Sequence, residues 1–193
     1  QIVNYIKPLN AMGYRVISFD GPAHGNTPGK QTSALEMADV VLALGKHYGP
    51  FDAAITHSFG GMILAYAMSL GFNIKRAALI CPPKNFGVLL DNFQRILTLP
   101  DSVMQILIRK SFATHGQNIR DALHTLNNLK QSNCKGLVIH DEDDKDISWH
   151  SGKEIADAWP RANFIKTRGL GHRRIIHDEE VINNIVSFLN ETD

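Results

Sequence analysis

The sequence predicts an α/β domain: a mostly parallel sheet flanked by helices on both faces. Three observations predict it. Short apolar runs alternate with segments of helical period, glycine- and proline-rich turns separate them, and one long stretch without a strand-like run interrupts the alternation. Strands that alternate with helices at this spacing join through β–α–β crossovers, which make neighbouring strands parallel and place helices on both sides.

In chain order, residues 2–12 carry a helical pattern closed by Gly13, and residues 14–19, Tyr-Arg-Val-Ile-Ser-Phe, read as a short strand. Residues 20–29 hold three glycines and two prolines and read as a loop. Ser33 and Glu36 have capping-box spacing, and Leu35, Ala38, Val41, Leu42 and Gly45 then keep helical spacing. Residues 51–56 read as a strand, 59–70 as a helix ended by Gly71, and 75–81 as another strand. After Pro82-Pro83 the rhythm breaks. Residues 84–133 show only helix-like pieces, at 88–97, 103–112 and 119–129. The alternation resumes with a strand at 136–140, a helix at 148–159, a strand at 163–167 and a helix from Asp178, with Val181, Ile182, Ile185, Val186 and Leu189 on one face. The expected organisation is a core part over 1–83, a helical cap insertion over 84–133 lying across one end of the sheet, and a second core part over 134–193.

At 193 residues the chain fits one domain with a substantial core. A net charge of +1 with scattered basic pairs, Arg109-Lys110 and Arg173-Arg174, gives no field suited to nucleic acid or an anionic membrane. No apolar run approaches the ~18–20 residues of a bilayer span. Cys81 and Cys134 each adjoin a strand-like run and read as reduced core residues rather than a disulfide framework. The sequence opens at Gln1, so any targeting segment would precede it; a cytoplasmic location is the expectation.

The chemistry concentrates where strands end. Thr56-His57-Ser58-Phe59-Gly60-Gly61 sits at a strand-to-helix junction, where a tight turn would present the Ser58 hydroxyl at the carboxyl edge of the sheet. Such a turn favours small residues two before and two after the serine; Gly60 fits, and Thr56 stands where glycine is usual. The Phe59 N–H, at the helix start, can stabilise a negative oxygen. The simpler reading is that Ser58 only caps the helix. His57, preceding the serine on the strand, is at most a supporting residue.

A serine hydroxyl needs a base, and the base an orienting carboxylate. Downstream, the strand ending at His140 runs into Asp141-Glu142-Asp143-Asp144-Lys145-Asp146-Ile147, and Gly169-Leu170-Gly171-His172 follows another strand. Both loops fall at the same edge as Ser58, in the chain order serine, acid, histidine. Carboxylates beside His140 also invite a Ca²⁺ or Mg²⁺ reading, but the glycine at the sixth position of a calcium loop is missing. No metal and no cofactor are expected. The other histidines, His140 among them, read as lone polar or packing residues.

Together these motifs resemble those of the α/β hydrolases, over nearly the whole chain and most weakly in the insertion. Residues 19–27, Phe-Asp-Gly-Pro-Ala-His-Gly-Asn-Thr, are similar to the family's D-x-x-G-x-G-x-S loop, and Thr56 to Gly60 resembles its nucleophile elbow. Residues 140–147 resemble H-G-x-x-D-x-x-V, with Asp141 in place of the glycine, and residues 169–172 match the loop of the catalytic histidine. The resemblance implies a triad of Ser58, Asp144 and His172, with Asp143 or Asp146 as the remaining alternatives for the acid. It implies an oxyanion hole made by the Phe59 N–H and a second donor from a loop upstream of Gln1, along with strands that would also precede the chain's start. Serine at position 58 argues against the family's dehalogenase and epoxide hydrolase chemistries, which use a carboxylate nucleophile. The implied activity is hydrolysis of a carboxylic ester or thioester, with a small acyl substrate as partner. The alternative is a non-catalytic relative that binds a ligand or protein in the same pocket. Apolar residues of the insertion, from Phe86 to Phe112, are expected to pack it on the sheet, with some lining an acyl pocket.

Overall fold

The computed structural model describes residues 3–116 and 119–191. A 3₁₀ turn at Val3–Tyr5 leads into α1 (Ile6–Ala11); the expected helix over 2–12 begins at Ile2, outside the described residues. Then come α2 (Ala34–Tyr48), β1 (Ala53–His57), α3 (Phe59–Ser69) and β2 (Arg76–Ile80). Four helices follow: α4 (Phe86–Leu97), α5 (Asp101–His115), α6 (Ile119–Ala122) and α7 (Thr125–Leu129). The second half contains β3 (Lys135–Asp141), α8 (Trp149–Ala158), β4 (Ala162–Thr167), α9 (Gly171–Arg174) and α10 (Glu179–Asn190).

The four strands pair in the order β1-β2-β3-β4, all parallel, so every strand ends at one edge. Period-two alternation divides the central strands between two cores. Leu79 and Val138 face a cluster built with Ala38 of α2, Met62 and Leu64 of α3, Leu129 of α7 and Ile155 of α8. Ala78, Ile80, Leu137 and Ile139 face Leu9 of α1 and Val181, Ile182 and Ile185 of α10. The covered two-faced sheet inferred from the sequence is the one observed.

The helix starts follow from local chemistry. Ser33 Oγ accepts the Glu36 N–H at 3.2 Å, and Asp178 Oδ1 accepts the Val181 N–H at 3.1 Å. Only half of the capping box forms at Ser33, because the Glu36 carboxylate accepts the Thr32 hydroxyl at 2.9 Å instead.

Two expectations are corrected. Residues 14–19 form no strand: among the described residues none lies beside them in a ladder, and a strand exists only through its partner. Side chains hold the segment instead, with Tyr14 and Val16 packed on the α10 core and the Tyr14 hydroxyl donating to Leu189 O at 2.7 Å. The helix expected over 119–129 divides into α6 and α7, because the His124 Nδ1 accepts the Asn127 N–H and restarts the helix. Within the insertion Phe86, Leu89 and Phe112 pack on the core as expected, whereas Phe93, Ile96, Leu97, Val103, Ile106 and Leu107 stay exposed. Residues 117–118 of that insertion lie outside the described residues.

Candidate active site

Ser58 lies between the last residue of β1 and the first of α3, with φ 54° and ψ −124°. Positive φ strains a residue with a Cβ, and it persists here because the turn is fixed on both sides. The Ser58 N–H donates to Ile80 O on β2 at 2.8 Å, and Gly61 N–H donates back to Ser58 O at 3.0 Å. Ser58 Oγ makes no capping bond to α3, so the simpler reading of this serine as a helix cap fails. The crowding expected around the turn falls on Gly61, where a Cβ would come within 3.2 Å of Pro82; at Gly60 it would meet only the Thr56 side chain, at 3.5 Å.

The Ser58 hydroxyl instead lies 2.9 Å from His172 Nε2, and His172 Nδ1 lies 2.6 Å from Asp144 Oδ2. With Nδ1–H donated to a carboxylate, Nε2 is left as an acceptor for the hydroxyl proton. The three side chains named from the sequence therefore form one hydrogen-bonded chain. The alternative acids do not join it: Asp143 Oδ2 accepts the Gly169 N–H, and Asp146 lies 3.7 Å from Arg95.

The Asp144 carboxylate is surrounded by donors. Its Oδ1 accepts the Asp146 and Ile147 N–H groups at 2.8 and 2.9 Å, and Oδ2 faces both His172 Nδ1 and His140 Nε2, the latter at 3.2 Å. Burial pushes its carboxyl pKa up, but the hydrogen bonds from His140, His172 and Ile147 outweigh burial and hold it well below the carboxylate range. This environment favours the ionised carboxylate.

Three neighbours were undervalued in the sequence. His140 is fully buried, and its Nε2 faces two acceptors, Asp144 Oδ2 and Ile147 O. Its Nδ1 has no hydrogen-bond partner among the described residues. A histidine closing an apolar strand was the available signal. His57 Nε2 donates to the His172 carbonyl at 2.7 Å, and the two rings lie 4.8 Å apart. Burial lowers the His57 pKa ahead of its other influences and favours the uncharged ring. Asp141 is also fully buried, with its carboxylate turned toward the loop before His172. The thiol of Cys81, after β2, has its pKa raised by burial and then by the Asp144 charge.

Phe59 is the first residue of α3, a position whose N–H has no intrahelical acceptor. The second donor expected upstream of Gln1 lies outside the described residues. An open groove of about 570 Å³ runs past His172, lined by Asp143, Lys145, Asp146, Arg173 and Arg174.

A strained serine between a parallel strand and a helix, joined to an aspartate from the loop after β3 and a histidine from the loop after β4 at the same edge, is the arrangement the resemblance implied. The family model described as "Alpha/beta hydrolase family" matches residues 3–184. The chain belongs to the α/β-hydrolase family. No curated protein sequence matches it at a significant level. Among solved structures it is similar to a monoacylglycerol lipase from Paleococcus ferrophilus, with TM-score 0.73 and 20% identity over 97% of this chain and 87% of that one. It is also similar to the Pyrococcus furiosus esterase Pf2001, with TM-score 0.70 and 22% identity over 95% of this chain and 73% of that one. An esterase from Rhodococcus sp. ECU1013 superposes with TM-score 0.67 and 18% identity, over 97% of this chain and 85% of that one. At these identities the structural likeness speaks to the fold, and family membership supports a hydrolase acting on a small molecule. Among the described residues no helix is long and apolar enough to cross a membrane.

Proposed function

We propose that this α/β hydrolase is a serine hydrolase that cleaves a carboxylic ester or thioester through an acyl-enzyme. Ser58 is the nucleophile, His172 the general base and acid, and Asp144 the anion that orients and balances the imidazolium. The observation that carries the reading is the hydrogen-bond chain from Ser58 Oγ through His172 to Asp144, at 2.9 and 2.6 Å.

As Ser58 Oγ bonds to the substrate carbonyl carbon, its proton passes to His172 Nε2. The carbonyl oxygen becomes an oxyanion, for which the Phe59 N–H is one donor. Collapse breaks the bond to the alcohol or thiol, which leaves with the proton from Nε2. Water then repeats the sequence and frees the acid and Ser58. Asp144 stays ionised throughout, as its depressed pKa requires.

The substrate is a small acyl compound. Exposed Phe93, Ile96 and Leu97 on α4 support an apolar acyl group, since Arg95 on that helix donates to Lys145 O at 2.6 Å and so holds it against the acid loop. A cytoplasmic setting belongs to the same reading and is supported by two free, buried cysteines. Turnover of p-nitrophenyl acetate is the test. Ser58→Ala is expected to lose about 10³-fold or more in kcat while keeping the wild-type melting temperature. Activity that survives in a folded Ser58→Ala protein would remove Ser58 as nucleophile and favour a binding protein.

A further inference from the structure

We propose that Asp141 is a positioning residue for His172: its buried carboxylate draws the loop after β4 back across the end of β3, so that the imidazole reaches Ser58. The proposal rests on His172 being the base of the reaction.

The sheet geometry sets the problem. Ser58 follows β1 and His172 follows β4, at opposite sides of the four-stranded sheet. At about 4.8 Å per strand, three steps separate those strand ends by roughly 14 Å. The loop over residues 168–171 must therefore turn back over β3, and Asp141 is the last residue of β3.

All of its acceptor capacity is used there. Oδ1 accepts the Asp143 N–H at 3.0 Å and the Gly171 N–H at 2.9 Å. Oδ2 accepts the Thr167 hydroxyl at 2.7 Å and the Leu170 N–H at 3.1 Å. One carboxylate thus joins the end of β4, the two residues before His172 and the acid loop. An ionised carboxylate has about four acceptor sites and no donor, so four donors saturate it. Burial raises the Asp141 pKa, but the bonds from Gly171, Thr167, Leu170 and Asp143 outweigh burial and hold it below the usual value.

His57 supplies the opposite hold. Its Nε2–H reaches the His172 carbonyl from β1, while Asp141 grips the preceding amides from β3. The glycine of the pattern resembled at this position has no side chain to make such a bridge.

Asparagine in this place keeps one oxygen but aims its N–H groups at the Leu170 N–H or the Gly171 N–H. Neither backbone donor can turn into an acceptor. Alanine abandons all four donors.

The test is p-nitrophenyl acetate turnover per mole of folded protein, with the folded fraction read from urea denaturation and fluorophosphonate labelling of the wild-type protein as the check on Ser58. Asp141→Ala is expected to lose about 100-fold in kcat with KM within twofold, and Asp141→Asn about tenfold. Asp143→Asn, which weakens one exposed bond to Gly169, is expected to lose less than threefold. A folded Asp141→Ala protein with wild-type kcat would overturn the proposal. Amide hydrogen exchange of the unmodified protein decides the matter if the variants do not fold. The Leu170 and Gly171 amides are expected to exchange about 10- to 100-fold more slowly than an open loop, and open-loop rates would overturn it. Wild-type protein that is not labelled at Ser58 would instead sink the hydrolase reading, and the exchange measurement is unaffected by that outcome.

Discussion

Gly152→Ala tests whether the residues behind Asp144 are as tightly fitted as they look. Gly152 lies in α8, which packs on β3, and a Cβ at that position would sit 2.5 Å from His140 Nδ1 and 3.2 Å from its Cβ and Cγ. Ordinary contact begins at 3.4 Å, so the ring must retreat by about 0.9 Å. It has little room to do so. His140 and the Asp144 side chain are both fully buried, and His140 Nε2 already lies 2.9 Å from Ile147 O and 3.2 Å from Asp144 Oδ2. The push therefore passes to Asp144 and from there to His172. Two effects on stability compete: alanine in a helix gains about 0.5–1 kcal/mol over glycine, and overpacking a core costs about 1–3 kcal/mol. The net expectation is a loss of up to about 2.5 kcal/mol, read as a lower urea midpoint. Displacements approaching 1 Å at reacting groups cost up to about 100-fold in rate, so kcat for p-nitrophenyl acetate is expected to fall about 10- to 100-fold with KM little changed. A Gly152→Ala protein that is at least as stable as wild type and within twofold in kcat would refute this account of the His140–Asp144 contact.

Asp144→Asn is expected to lower kcat about 10³- to 10⁴-fold, while Asp143→Asn loses less than about threefold and Asp146→Asn less than about tenfold; equal losses in a side-by-side kinetic comparison would undo the assignment of the acid. The same substitution carries a pH signature in urea denaturation. The native Asp144 pKa lies below its unfolded value, near 3.9, so its ionisation stabilises the fold above that pH and ceases to as pH falls toward the native value. The stability gap between wild type and Asp144→Asn is therefore expected to be largest above about pH 5 and to shrink in stronger acid; a gap that widens in acid would contradict the sign.

Local and non-local information divide sharply in this chain. The four paired strands, the major helices, the Ser33 cap and the start of the last helix at Asp178 were legible because each has a signal within a few positions. The order of serine, acid and histidine loops was legible because parallel strands all end at one edge. What escaped depends on neighbours distant in sequence. Residues 14–19 have strand-like composition, but a ladder needs a partner that composition cannot supply. His140 read as a packing residue because its contact with Asp144 exists only once the acid loop folds back over β3. Asp141 read as a departure from a glycine, since its donors at Thr167, Leu170 and Gly171 arrive only when β4 pairs with β3. The tight turn at Ser58 was legible, whereas its positive φ and its hold on the Ile80 carbonyl, which needs β2 as neighbour, were not.

The most direct measurement is fluorophosphonate labelling followed by peptide mass spectrometry. The account expects a single stoichiometric adduct on the peptide containing Ser58, lost in Ser58→Ala and strongly slowed in a folded His172→Ala protein. Native, folded protein that takes no label at Ser58, or labels equally well without His172, would contradict it.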